Sequence, residues 1–317
     1  MEIAVNRNLF LSYVGLTASG YELANKDDVE VQLLITKLLA LGITKDVLDY
    51  FALARTNQTE VNPYWPRGSC LSAASFFITE CFEWNTLDEY LQFERTSGAS
   101  AEYENEEFLL WIRKLPFILM KISDLPDCQV LWDEYQQIIQ AREDGYFSEM
   151  QSINTVLDKF GYLSEEIKIG FAPNLLQFYS YADYVTKDGS VYVITTHINT
   201  STMLHEYFHQ ILKQYKTMIY DYVSKNGVNK LVDIDKMRFY GYMWDNTLES
   251  KARALEECLV RGLSIILTSS VKKTDVDQYC QYNEESGFLF VRSITDYANT
   301  IIPTKDNLSE FIASVMK

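Results

Sequence analysis

The sequence has little of what marks several common classes of protein. It contains three histidines and five cysteines in 317 residues, and no two cysteines are spaced as Cys-X-X-Cys. A zinc site built from cysteines and a disulfide framework are therefore not expected, and we predict free thiols in a reducing compartment. The five cysteines are Cys70, Cys81, Cys128, Cys258 and Cys280.

Basic residues are also few, with 28 Lys and Arg against 44 Asp and Glu, so the formal net charge is −16. A protein that binds nucleic acid needs a basic surface, and we expect no such partner. No apolar run approaches the roughly 20 residues that span a bilayer. The first 20 residues lack the basic and then apolar pattern of a signal peptide. We therefore expect a cytoplasmic protein without a membrane span, although a signal peptide already removed would leave no trace.

Apolar residues make up 47% of the chain and aromatic residues 14%, which is enough for one large core or two smaller ones. Residues 1–164 show mainly helical spacing, whereas Glu166–Phe171 alternates like a strand and Ser190–His197 is rich in the β-branched and aromatic residues typical of strands. We expect an α+β fold that is mostly helical and contains a small sheet. Residues 1–164 would form a helical region and residues 165–317 a metal-binding region with C-terminal helices, either as two domains or as one.

Two long helices are predicted after these strands. The first runs from about Ser201 to Tyr220, and Asn199, Thr200 and Ser201 are all suitable N-cap residues. The second runs from about Asn246 to Thr268. Two other segments are ambiguous: residues 2–14 fit a strand or a short helix, and residues 176–186 fit a strand or a loop.

The first long helix carries the run HEYFH at residues 205–209. Residues four apart share one face of a helix, so the imidazoles of His205 and His209 can reach the same metal ion. The adjacent Glu206 can then take a proton from a water molecule at that metal, as in HExxH hydrolases. A strand and a cap-rich turn before the helix are the context that this motif requires. The pattern therefore predicts a zinc site.

A catalytic zinc takes three protein ligands, so the two histidines need a partner. No histidine follows His209, which excludes the longer HExxHxxGxxH pattern. His197 lies upstream, on the second predicted strand. We expect it to be a cleft or core residue rather than a ligand.

A carboxylate on the second long helix is a better candidate for the third ligand. This helix offers Glu249, Glu256 and Glu257. Its apolar residues between Leu248 and Ile266 form one stripe; Glu256 lies beside the stripe, Glu249 slightly farther round and Glu257 farther still. Helical phase alone therefore favours Glu256 or Glu249.

These residues resemble the gluzincins, zinc peptidases with HExxH on one helix and a glutamate ligand on the next. More narrowly, the chain resembles an uncharacterised bacterial family, a domain of unknown function with a predicted peptidase site. The similar segments are spread over nearly the whole chain. They are MEIAVNRNLFLSYVGL, MLHEYFHQIL, EECLVRGLSI and SGFLFVRSITDYA with LSEFIASVMK.

The resemblance implies a Zn²⁺ ion and a zincin-like sheet packed on the HExxH helix. It also implies that Glu257 is the third ligand, since Glu257 opens the family's second motif, in disagreement with helical phase. Thermolysin-like enzymes carry an aspartate four residues after this glutamate, but Arg261 stands at that position here. The group that orients a ligating histidine is therefore not identified.

The implied reaction is hydrolysis of a peptide or protein substrate, with Glu206 as general base. Tyr240 or Tyr242 is a candidate donor to the developing oxyanion. The alternative is a non-catalytic module that keeps the zincin fold for binding or regulation. A third hypothesis is a helical interaction protein in which HExxH occurs by chance. The substrate, the choice between internal and terminal cleavage, and the oligomeric state are not encoded in any motif.

Overall fold

A computed structural model describes residues 2–57, 59–85, 87–91, 105–163, 168–239 and 246–317. These ranges are mostly helical with one small sheet, which confirms the predicted α+β class. The helices, numbered in chain order within these ranges, are α1 (Arg7–Ala18), α2 (Val29–Leu38), α3 (Lys45–Ala52), α4 (Arg67–Ala74), α5 (Glu106–Arg113), α6 (Leu115–Ser123), α7 (Cys128–Ala141), α8 (Glu143–Lys159), α9 (Thr200–Leu212), α10 (Lys216–Asn226), α11 (Ile234–Phe239), α12 (Leu248–Ser269), α13 (Val276–Glu285), α14 (Phe290–Ala298) and α15 (Leu308–Val315).

The sheet has three strands, β1 (Lys168–Pro173), β2 (Ala182–Lys187) and β3 (Ser190–Thr195), in the order β1-β3-β2. The central strand β3 is parallel to β1 and antiparallel to β2. Asp188 and Gly189 join β2 to β3 and both have positive φ, as a two-residue hairpin requires. The ambiguous segment 176–186 is thus a loop followed by most of an edge strand.

The start of the chain is helical rather than a strand. The side chain of Asn6 caps α1 by accepting a hydrogen bond from the backbone N–H of Leu9. Before the helix, Ile3 forms an isolated parallel bridge with Phe171 of β1. This contact joins the first residues of the chain to the sheet.

The predicted helix over residues 201–220 is wrong in one respect. α9 ends at Leu212, a 3₁₀ turn occupies Lys213–Tyr215, and α10 begins at Lys216. No glycine or proline marks the interruption. Asn199 is the N-cap residue of α9, as expected, because its side chain accepts a hydrogen bond from the N–H of Thr202 at 2.9 Å.

Helix α12 is buried on more than one side, because it packs against α9, α10 and α14. It lies close to α14 at Gly262, where an added Cβ would lie 2.5 Å from Cγ2 of Ile294. The prediction of a single apolar stripe on this helix was therefore too simple. The packed helices shield residues on two neighbouring faces of α12 from solvent.

The apolar side chains of both halves of the chain belong to one buried cluster. For example, Tyr135 on α7 donates a hydrogen bond to the carbonyl of Pro173 in β1 at 2.9 Å. The predicted domain boundary falls within residues 164–167, outside the described residues. All five cysteines are free thiols, as predicted. Within the described ranges, no helix has the length and apolar character needed to cross a membrane.

Candidate metal centre

The two histidines of the HExxH run face the same cleft from α9. Their Nε2 atoms are 3.3 Å apart, because residues four apart lie one above the other on a helix. The opposite side of the helix is anchored in the core by Tyr207 and Phe208, both almost fully buried. The hydroxyl of Tyr207 donates a hydrogen bond to the carbonyl of Tyr162, which fixes the position of α9.

Glu257 meets both histidines from α12. Its Oε1 atom is 3.3 Å from Nε2 of His209, and its Oε2 atom is 3.7 Å from Nε2 of His205. The three side chains form a group that could hold a metal ion, and they are the three residues expected to do so. Atoms that share a tetrahedral zinc at about 2.1 Å lie roughly 3.4 Å apart. These separations and the N, N, O donor set therefore fit zinc.

Glu256, the neighbour of Glu257, contacts the other nitrogen of the same imidazole. Its Oε1 atom is 3.0 Å from Nδ1 of His209. A carboxylate in this position holds the ring orientation and selects the tautomer whose Nε2 is free to bind a metal. Glu256 is thus the orienting partner that the sequence did not identify, and it lies on the side of the ring away from the other two ligand candidates.

The His209 ring is also held by an aromatic contact. Tyr184 of β2 stacks on it, with 6.0 Å between ring centroids and 12° between the planes. The Nζ atom of Lys213 lies over the Tyr184 ring, 5.6 Å from its centroid. The sheet and the 3₁₀ turn therefore both help to fix His209.

Arg261 stands beside Glu257 where thermolysin-like enzymes have an aspartate. Its Nε atom donates to Oε2 of Glu257 at 3.3 Å, one helical turn earlier on α12. Its guanidinium lies 3.8 Å from the ring centroid of Phe288 and donates to Oδ1 of Asn283. With Oε2 engaged by this cation, Oε1 is the oxygen of Glu257 that points most directly toward His209.

The charges of these groups are coupled. Burial lowers the pKa of His205 to about 3, so this ring is neutral, the form that binds metals. Burial also disfavours a charge on His209, but Glu257 and Glu256 outweigh it and raise the pKa of His209 well above its usual value. Burial of Glu257 is likewise outweighed, since His209, His205 and Arg261 lower its pKa. The cleft therefore already favours a positive charge between these carboxylates.

Glu206 is almost buried at 8% exposure but lines the cleft. Its Oε1 atom is 4.0 Å from Nε2 of His205. Burial is the main reason why the pKa of Glu206 is raised to about 8. A cation held by the two histidines would favour the ionised form of this carboxyl and oppose that shift.

The cleft has a volume of about 760 Å³ and takes its walls from distant parts of the chain. One wall is formed by α9 and α12. The facing wall combines the segment around α4 with the start of β2. Representative lining residues of this second wall are Trp65, Ser69, Ala73, Tyr181, Asp183 and Tyr184.

The remaining candidates do not join this group of side chains. His197 is exposed on the loop between β3 and α9, hydrogen-bonded to the hydroxyl of Thr196, so its placement in the core or cleft was wrong. It lies two residues after Thr195, the last residue of β3, and is outside the sheet. Glu249 lines the cleft but is exposed in the first turn of α12, apart from the two histidines. Tyr240 and Tyr242 lie outside the described residues.

No family model, no curated protein and no solved structure matches this chain. The function of this chain is therefore inferred from the residues of the cleft.

Proposed function

We propose that this protein is a zinc-dependent peptidase in which His205, His209 and Glu257 hold the metal and Glu206 is the general base. The observation that carries the proposal is the close spacing of the donor groups of these three residues. The two Nε2 atoms are 3.3 Å apart, and the carboxylate of Glu257 approaches them to 3.3 Å through Oε1 and to 3.7 Å through Oε2, close to the spacing of ligands around one tetrahedral ion. The side chains hold this spacing through Glu256, Tyr184 and Arg261.

A zinc ion, when bound, supplies Lewis acidity that activates water near neutral pH and polarises a carbonyl group. Glu206 lies next to the two histidines and opens onto the cleft, so its carboxylate can accept the proton of the attacking water. The same carboxyl can then donate that proton to the leaving nitrogen of the peptide. Its burial supports this role, because a shielded carboxyl exchanges protons with the reactants rather than with bulk solvent.

The shape of the cleft supports an extended peptide as substrate. β2 is at one end of the strand order β1-β3-β2, and residues 182–184 of this edge strand line the cleft. An edge strand offers backbone N–H and C=O groups that can pair with an extended chain. A sheet beside the HExxH helix, with its edge at the cleft, is also what a zincin-like arrangement requires.

Two measurements test the proposal. Elemental analysis of protein purified without added metal should give about one zinc per chain, and His205→Ala should remove it. A peptide library should then be cleaved by the zinc-loaded protein and left intact after treatment with a chelator. Absence of zinc would contradict the whole proposal. Zinc binding without cleavage of any peptide would instead favour the non-catalytic module.

A further inference from the structure

Asp183 is an acidic side chain of the cleft for which the proposed reaction has no role. It lies on β2, next to the Tyr184 that stacks on His209, and it lines the same cleft as Glu206. Its negative charge is close enough to Glu206 to contribute to the raised pKa of that carboxyl. The two carboxylates therefore share one electrostatic environment.

The partners of Asp183 in the described part of the chain are neutral. The hydroxyl of Ser72 and the side-chain amide of Gln177 donate to Oδ2 at 3.1 and 2.8 Å, and Ser69 donates a further hydrogen bond. Ser72 is itself 3.0 Å from the hydroxyl of Tyr13 on α1. This chain of hydroxyls fixes the carboxylate in one orientation without neutralising it.

A partly buried carboxylate without a cationic partner is unfavourable, because neutral donors replace only part of its hydration. Burial accordingly raises the pKa of Asp183 to about 6, although its three donors oppose the shift. A purely structural joint between α4 and β2 would need only acceptor and donor groups, which an asparagine also has. A structural role therefore does not account for the negative charge of Asp183, whereas a cation that enters the cleft would stabilise it.

We infer that Asp183 binds an ammonium group of the ligand that occupies the cleft, either the N-terminal ammonium of a peptide or the side-chain ammonium of a lysine. The inference rests on the proposed function for the identity of the ligand as a peptide. A charge-assisted hydrogen bond from N⁺–H to a fixed carboxylate in a half-buried site is short and strong. It would hold the ammonium-bearing residue of an extended peptide against β2, in the cleft that also contains the metal centre.

Binding of four small amides to the zinc-loaded protein, followed by calorimetry, tests the inference. Leucinamide carries the α-ammonium and N-acetyl-leucinamide does not; N-acetyl-lysinamide carries the side-chain ammonium and N-acetyl-norleucinamide does not. We expect at least one charged amide to bind about 10- to 100-fold more tightly than its neutral counterpart. The pair that shows the preference identifies the source of the ammonium group. Equal binding within both pairs would overturn the inference.

Two substitutions separate Asp183 from general electrostatics. Asp183→Asn keeps the shape and the acceptor oxygen but removes the charge, and should reduce the preference to about one. Asp188→Asn removes an exposed carboxylate at the adjoining turn and should leave the preference unchanged. A preference retained in Asp183→Asn would show that the zinc or another group binds the amine. Thermal unfolding of each variant identifies any loss of fold.

Failure of the ammonium site can be distinguished from failure of the proposed peptidase function. If no peptide is cleaved but the charged amides bind through Asp183, the ammonium site stands and the peptidase does not. If peptides are cleaved with no dependence on a charged group or on Asp183, the peptidase stands and the ammonium site does not.

Discussion

Glu256 holds the Nδ1 atom of His209 at 3.0 Å, on the side of the ring opposite to Glu257. Two consecutive residues of α12 therefore contact the two nitrogens of one imidazole. Under the proposed function, this relationship divides the carboxylates of the site into a metal ligand and an orienting group, and four predictions depend on that division or on the helices that create it.

Glu206→Gln should bind zinc but lose peptide hydrolysis. The amide keeps the size of the side chain yet cannot accept the proton of the attacking water, and loss of a general base typically lowers kcat by about 10²- to 10⁴-fold. Zinc content and kcat measured on the same preparation check this. Glu249→Gln alters another carboxyl of the same cleft and should keep its activity. Full turnover by Glu206→Gln would remove this residue from the reaction.

Glu257→Ala should lower zinc affinity by more than about 100-fold. This exceeds the loss that usually follows removal of a residue that only hydrogen-bonds to a metal ligand. The change removes the only carboxylate that faces both Nε2 atoms among the described residues. Competition with a chromogenic chelator measures the affinity. Glu249→Ala, on the exposed first turn of the same helix, should leave it unchanged.

Glu256→Ala should lower zinc affinity less, by about 10- to 100-fold, because His209 loses the group that fixes its ring. Glu256→Gln should restore part of the affinity, since its amide oxygen can still accept from Nδ1. The same chelator competition applies. A larger loss in Glu256→Ala than in Glu257→Ala would reverse the two assignments.

Gly262→Ala should destabilise the fold by about 1–3 kcal/mol, the usual cost of overpacking. The new methyl group would lie 2.5 Å from Cγ2 of Ile294, so α12 and α14 would have to separate. Urea unfolding measures the change. Gly145→Ala is a matched control in α8, where an added Cβ meets no atom within 4 Å, and it should stabilise the helix by about 0.5–1 kcal/mol. Equal stabilities of the two variants would contradict the tight contact.

Much of the site could be predicted from local sequence. The i, i+4 spacing of His205 and His209 determines which side of a helix they share, and Asn199 is a clear N-cap residue. The choice between Glu256 and Glu257 was harder, because helical phase favours Glu256 when only one face of the helix is assumed to be buried. α12 is buried on several sides, so both glutamates reach His209, and the family resemblance rather than the periodicity selected the residue that faces both Nε2 atoms.

Other features depend on contacts that no local pattern reports. The partners of Asp183 come from α4 and from the loop after β1, more than a hundred residues apart in the case of Ser72. The break at Lys213–Tyr215 has no glycine or proline, so the helical pattern continued through it. The exposure of His197 follows from where β3 ends, two residues earlier than the strand predicted from the sequence.

The cleft takes the wall that carries His205, His209 and Glu257 from residues after 200, and part of its other wall from residues before 91. Under the proposed function, the chemistry and the choice of substrate are therefore encoded in separate parts of the gene. Substitutions around α4, at Trp65 or Ala73 for example, could change which peptides are accepted while the metal ligands stay in place. Such a division gives evolution, or a protein engineer, a way to alter specificity without rebuilding the reaction centre.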